Sequence, residues 1–177
     1  MTAPNTLSEF SYVVPLSEIG GKAVHHSLLA NDSERTQLAR RFGLTALDSL
    51  SAEVDLLSDD IGIIATGQLA AHVMQVCVVS GAAIPAQIAE RFAIRFWSEP
   101  IFEPDAEIEL EVEECDTMFH DGRIIDLGEA VAQTLALAID PFPRCPDAEE
   151  ILQDAGIMNA HPTGPFAALA ALRKGAD

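Results

Sequence analysis

The apolar positions of this chain change period several times, and each change marks an element. Glu9 to Val14 reads as a strand that Pro15 ends or places at a sheet edge. Gly20-Gly21 predicts a turn, and Val24 to Leu29 a second short strand. Asp32 or Ser33 then caps a helix that runs to about Phe42. Leu38 and Phe42 form its inner face, Arg40 and Arg41 its last turn, and Gly43 its stop. Strict alternation follows at Leu50, Ala52, Val54 and Leu56. The run from Ile61 to Val79 is apolar and rich in branched residues. There Leu69, Ala71, Val73, Gln75, Cys77 and Val79 share one face, and Gly67 marks a possible bulge. Ser80-Gly81 turns the chain. Phe92, Ile94 and Phe96 then alternate with Arg91, Arg95 and Trp97, and Ile108, Leu110 and Val112 with glutamates.

The last third switches to helical spacing. Asp121-Gly122 is a turn signal and Asp126 a good N-cap, with Glu129 placed to close a capping box. Leu127, Val131, Leu135 and Ala138 then recur on one face, widened by Leu137 and Ile139. Pro141 and Pro143 forbid continuation, because each lacks the N–H a helix needs. That wide apolar face predicts a helix buried against a sheet. A short helix follows over Asp147 to Gln153, then a linker, then a final helix from Pro165 to Lys174. The expected class is α+β, with a curved or barrel-like antiparallel sheet and flanking helices. Short turns between strands speak against a crossover-linked parallel sheet. Residues 1–160 are expected to form one domain. Residues 161–177 form a linker and helix, packed on that domain or on a partner.

Composition sharpens the picture in two ways. The net charge is −18, which argues against broad nucleic-acid binding and favours a basic partner, although solubility alone is a sufficient reason for it. The three cysteines, Cys77, Cys115 and Cys145, are widely spaced and fit a reduced cytoplasmic protein. No apolar run is long enough to span a membrane, and the first ten residues lack the basic flank and apolar stretch of a secretory signal.

The segment IDLGEAVAQTLALAIDPFPRCP, residues 125–146, resembles the signature of the YceD family, the large ribosomal RNA subunit accumulation proteins. Three further segments agree in the same order: Ala30 to Val54, Gly67 to Trp97, and Gly164 to Gly175. The resemblance covers roughly Glu9 to Lys174. It implies a factor in accumulation or maturation of large-subunit 23S rRNA in bacteria and plastids. Many relatives carry a second Cys soon after the position matching Cys77, and some a CxxC pair near the C-terminal end. Such a set could hold tetrahedral zinc. Here Cys77 is followed by Val78-Val79-Ser80, and Cys145 stands alone in CPDA. No metal and no cofactor are therefore expected, and Cys77 is read as a small apolar strand residue.

Candidate chemistry is sparse. His25 and His26 are adjacent and face opposite ways on a strand, and no HExxH or nucleophile elbow is present. No catalytic residue and no enzyme activity are expected. Glu107, Glu109, Glu111 and Glu113 share a strand face, either solvated or docked on a basic protein. Phe166 and Leu169 lie on the apolar stripe of the final helix, which packs at home or fits a partner groove. Arg91, Arg95 and Trp97 combine charge with an aromatic platform and could contact RNA, unless the arginines pair with the surplus acids. The expected partner is a basic ribosomal protein or the pre-ribosome, with rRNA as a second possibility. The alternative is an acidic interaction module, or a chaperone for a basic ribosomal protein, without RNA contact.

Overall fold

The computed structural model describes residues 8–98 and 116–157. The elements in chain order are β1 (Val13–Pro15), β2 (Val24–Leu29), α1 (Asp32–Arg41), β3 (Ala46–Ser58), β4 (Ile63–Val76), β5 (Ala83–Ser98), β6 (Asp116–His120), β7 (Ile124–Asp126), α2 (Leu127–Ala138) and α3 (Ala148–Asp154). The chain is α+β, and it divides into two compact units. Of the described residues, the first holds 8–75, 85–98 and 116–140, the second 76–84 and 141–157.

Among the described residues of the first unit the sheet order is β2-β3-β4-β5-β6, open at both edges rather than closed into a barrel. β2, β3 and β4 pair antiparallel, as alternation and short turns predict. β6 instead joins β5 in parallel, so the sheet is mixed. A parallel neighbour needs a connection of a dozen or more residues, and residues 99–115 supply that length. The predicted acidic strand over Glu107–Glu113 lies outside the described residues, as does the helix carrying Phe166 and Leu169.

The alternation is realised in the packing. Leu50, Ala52, Val54 and Leu56 of β3 are buried with Leu69, Ala71 and Val73 of β4 and Ile94 and Phe96 of β5. Leu38 of α1 and Leu127, Val131 and Leu135 of α2 join the same core. Leu137 does not widen the apolar face of α2, since it is 80% exposed. The bulge expected at Gly67 falls instead between Leu47 and Ser49. Gly67 sits in register with Val54 and is small for another reason: a Cβ there would collide with the Glu53 carbonyl and touch Phe92 at 3.0 Å. At the C-terminal end of β4, the buried Gln75 amide donates to the Asp140 carbonyl just past α2 at 2.8 Å.

Helix starts differ slightly from the sequence expectation. Asn31, one residue before the expected caps, opens α1. Its side chain accepts from the Ser33 and Glu34 amides at 3.0 Å, and Glu34 reaches back to the Asn31 N–H at 2.8 Å. That is a full capping box. Asp126 does cap α2, accepting from Gly128 and Glu129 amides. Glu129 does not close a box there, because an arginine holds it elsewhere. Gly43 ends α1 at φ +67°, a left-handed conformation that favours glycine.

In the second unit, Cys77 to Ala82 form a turn closed by the Cys77 N–H on the Ala82 carbonyl and the Gly81 N–H on the Cys77 carbonyl. The Val78 N–H bonds the Pro143 carbonyl at 2.9 Å, joining this turn to the segment before α3.

Candidate functional site

The residues from Asp126 to Glu129 form a corner where three parts of the first unit meet. Asp126 uses both carboxylate oxygens. One accepts from the Gly128 and Glu129 amides and from the Tyr12 N–H at 2.8 Å, and the other from the Ser11 hydroxyl at 2.7 Å. Leu127 is buried, and its N–H bonds the Tyr12 carbonyl at 2.9 Å. Gly128 lies flush against the N-terminal segment: a Cβ would stand 2.6 Å from the Phe10 carbonyl oxygen and 2.7 Å from the Tyr12 nitrogen.

Glu129 completes the corner. Arg41, from the last turn of α1, grips it with two parallel hydrogen bonds of 2.9 and 2.7 Å and also reaches Glu9 at 3.0 Å. Ser8 and Gln133 donate to the same carboxylate. The Arg41 hydrogen bond outweighs burial, with help from Gln133 and Ser8, and holds the Glu129 carboxyl down at about 2. Arg41 is pushed up in turn, chiefly by its hydrogen bond to Glu129. Every group in this corner is engaged internally. It is scaffold chemistry.

The three residues expected on a nucleic-acid face separate on β5. Arg91 is exposed and lines a depression of about 410 Å³ with Glu90, Phe92, Ala93, Asp116, Thr134, Leu137 and Ala138. Among the described residues, no histidine, serine or cysteine lines it. Arg95 is buried, and one guanidinium nitrogen, Nη1, donates to both Asp59 oxygens at 3.1 Å. Asp59 is fixed by the hairpin between β3 and β4, accepting from the Ile61 and Gly62 amides at 2.9 and 2.8 Å. Those bonds, the Gly62 amide first and Arg95 next, depress its carboxyl. Arg95 is thus held by an internal ion pair.

Trp97 is 38% exposed and has a neighbour that sequence reading missed. Register in the β5–β6 pair sets Trp97 opposite Phe119, which is 59% exposed. Cross-strand partners share a face, so the two rings form one aromatic strip at the sheet edge. Only the parallel β5–β6 pairing creates it, and nothing in the local sequence of Phe119 announces that pairing.

Two other features complete the inventory. His25 stands between Asp55 and Glu53, each at 2.8 Å, and these hydrogen bonds, Asp55 first, raise its pKa. In the second unit, the Cys77 and Cys145 sulfurs are 3.1 Å apart. Cys145 is therefore not isolated, as its local sequence implied. Burial pushes the Cys77 thiol up, but hydrogen bonds from the Ser80 side chain and the Cys145 and Ser80 amides bring it down to about 6. Among the described residues, no group of three His, Cys, Asp or Glu side chains could hold a metal ion.

Residues 65–173 match the family model of the large ribosomal RNA subunit accumulation protein YceD. The chain belongs to the YceD family. The match includes β4 from Ala65 onward, β5, the Asp126–Glu129 corner of α2 and both Cys77 and Cys145. Comparison with curated proteins and with solved structures gives no significant match. The family name ties YceD proteins to the large ribosomal RNA subunit. No helix among the described residues is long and apolar enough to cross a membrane.

Proposed function

We propose that this YceD-family chain is a cytoplasmic accessory factor that promotes accumulation or maturation of large-subunit 23S rRNA by binding, without catalysing a reaction. Family membership over residues 65–173 carries the proposal. The net charge of −18 supports a basic ribosomal protein, or a pre-ribosome presenting one, as the main partner. The arginine geometry supports the same direction. Arg41, Arg35 and Arg95 are each tied to carboxylates, at 2.7, 2.7 and 3.1 Å. These three of the ten Lys and Arg side chains are thereby less available to neutralise phosphate.

A contribution from rRNA rests on Trp97 and Phe119, whose exposed rings offer stacking surface, with the exposed Arg91 farther along the same strand β5. The alternative is an acidic module or chaperone that engages the basic protein alone, and the internal pairing of Arg95 favours it over a module that binds rRNA alone.

Affinity purification of the tagged chain from its own host, with identification of bound protein and RNA, tests the proposal. The expected result is co-recovery of large-subunit ribosomal proteins and 23S rRNA precursors. Free polylysine should displace the complex more effectively than a polyanion such as heparin. Recovery of neither ribosomal protein nor rRNA precursor would overturn it. Displacement by the polyanion alone would move the main contact to RNA.

A further inference from the structure

The second unit holds a pair of thiols that the proposed binding role leaves unused. Cys77 lies just past β4 and Cys145 lies before α3, 68 positions later in sequence. Their sulfurs are in contact at 3.1 Å. The Cys145 and Ser80 amides donate to the Cys77 sulfur at 3.2 and 3.4 Å, and the Ser80 hydroxyl lies 3.4 Å from the Cys145 sulfur. Cys77 is 2% exposed, whereas Cys145 is half-buried.

We propose that Cys77 and Cys145 form a reversible dithiol–disulfide site, in which Cys145 meets a small disulfide oxidant and the buried Cys77 resolves it. The sulfurs stand only about 1 Å beyond disulfide bonding distance, so the two thiols need little approach to bond. The backbone bonds that hold the two segments together leave the partners no need to search for each other.

The chemistry balances with a low-molecular-weight disulfide as oxidant. The Cys145 thiolate attacks one sulfur of that reagent, its S–S bond breaks, and one thiolate leaves. The Cys77 thiolate then attacks the Cys145 sulfur, the mixed disulfide breaks, and the second thiolate leaves. Two electrons pass from the protein to the reagent, and the two protons lost by the cysteines protonate the two released thiolates. Donors around the Cys77 sulfur favour the anion that the second step needs, consistent with a thiol brought down to about 6. A structural thiol alone explains a buried Cys77. It does not explain a second, more accessible sulfur in contact with it.

The sequence makes the test clean, because trypsin places each cysteine in a different peptide: 42–91 for Cys77, 96–123 for Cys115 and 145–173 for Cys145. The full chain is treated with oxidised glutathione, alkylated and digested. The expected product links 42–91 to 145–173 within one chain, leaves Cys115 alkylated, and disappears on reduction with dithiothreitol. C77S should trap glutathione on Cys145, and C145S should show neither the link nor an adduct at Cys77. A link through Cys115, a disulfide between two chains, or alkylation of both Cys77 and Cys145 after oxidised glutathione overturns the proposal. The wild-type peptide map decides this even if a variant fails to fold.

Discussion

The Asp126–Glu129 corner and the far end of β5 belong to the same unit and are built in opposite ways. At the corner, each residue meets an internal demand. Asp126 caps α2 and clamps Ser11 and Tyr12, Leu127 enters the core, Gly128 lets the N-terminal segment lie flush, and Glu129 takes the Arg41 fork. At the end of β5, Trp97 and Phe119 turn large apolar rings outward, with exposures of 38% and 59%. Residues fixed by folding are poor candidates for an interface, because a partner could gain contact with them only by breaking what holds the chain together. Exposed rings have no such obligation. The most recognisable stretch of the chain therefore marks the fold, and the less recognisable strip beside β6 is better placed to meet a partner.

The sharpest way to break this contrast is at Gly128. A Cβ there meets backbone atoms of Phe10, Ser11 and Tyr12 at 2.6–2.8 Å, and backbone cannot swing aside as a flexible side chain can. Gly128→Ala should therefore cost about 3 kcal/mol of unfolding free energy, through displacement of the N-terminal segment. Urea unfolding monitored by circular dichroism measures it. A variant within about 0.5 kcal/mol of wild type would mean that the N-terminal segment is not seated on α2.

Glu129→Gln removes the charge that Arg41 grips and leaves the shape nearly unchanged. Both partners keep some solvent contact, with side-chain exposures of 22% and 32%, so the expected loss is trimmed to roughly 2 kcal/mol at neutral pH. The sign of its pH dependence follows from the depressed carboxyl. Glu129 titrates lower in the folded chain than in the unfolded one. Its stabilisation is complete above the ordinary value of 4.5 and fades as pH falls towards about 2. The stability gap between wild type and Glu129→Gln should shrink across that window. A gap that stays constant from pH 6 to pH 2 would show that the fork adds nothing through charge.

How much of this was legible in the sequence depends on the range of the interactions. Period-two burial at Leu50, Ala52, Val54 and Leu56 is set by the pleat itself, and so is the span of β2, which runs over Val24–Leu29 as expected. The Asp126 cap and the Gly43 stop are equally local. The errors came where a distant group outbid a near one. Glu129 could have closed a capping box three residues away, but an arginine 88 positions distant takes both its oxygens. Leu137 fits helical spacing, yet burial depends on what faces it, and it stays exposed. The contact between Cys77 and Cys145 and the pairing of Trp97 with Phe119 are products of topology alone. No spacing rule reaches across 68 residues or foresees a parallel β6.

The smallest expected effect on stability lies at the aromatic strip, and that is what makes it informative. Truncating Phe119, whose ring is 59% exposed, removes a side chain that is already mostly in water, so Phe119→Ala should cost about 1 kcal/mol or less. If the strip meets the partner, the same variant should weaken binding to purified pre-ribosomal particles by tenfold or more, since aromatic anchors carry a disproportionate share of interface energy. Stability and binding then move independently, the reverse of what Gly128→Ala should do. Unchanged binding would instead place the contact on the acidic residues Glu107, Glu109, Glu111 and Glu113. In that case replacing those four with glutamine should weaken the complex and flatten its salt dependence, because the lost term is the long-range attraction between the acidic chain and a basic partner.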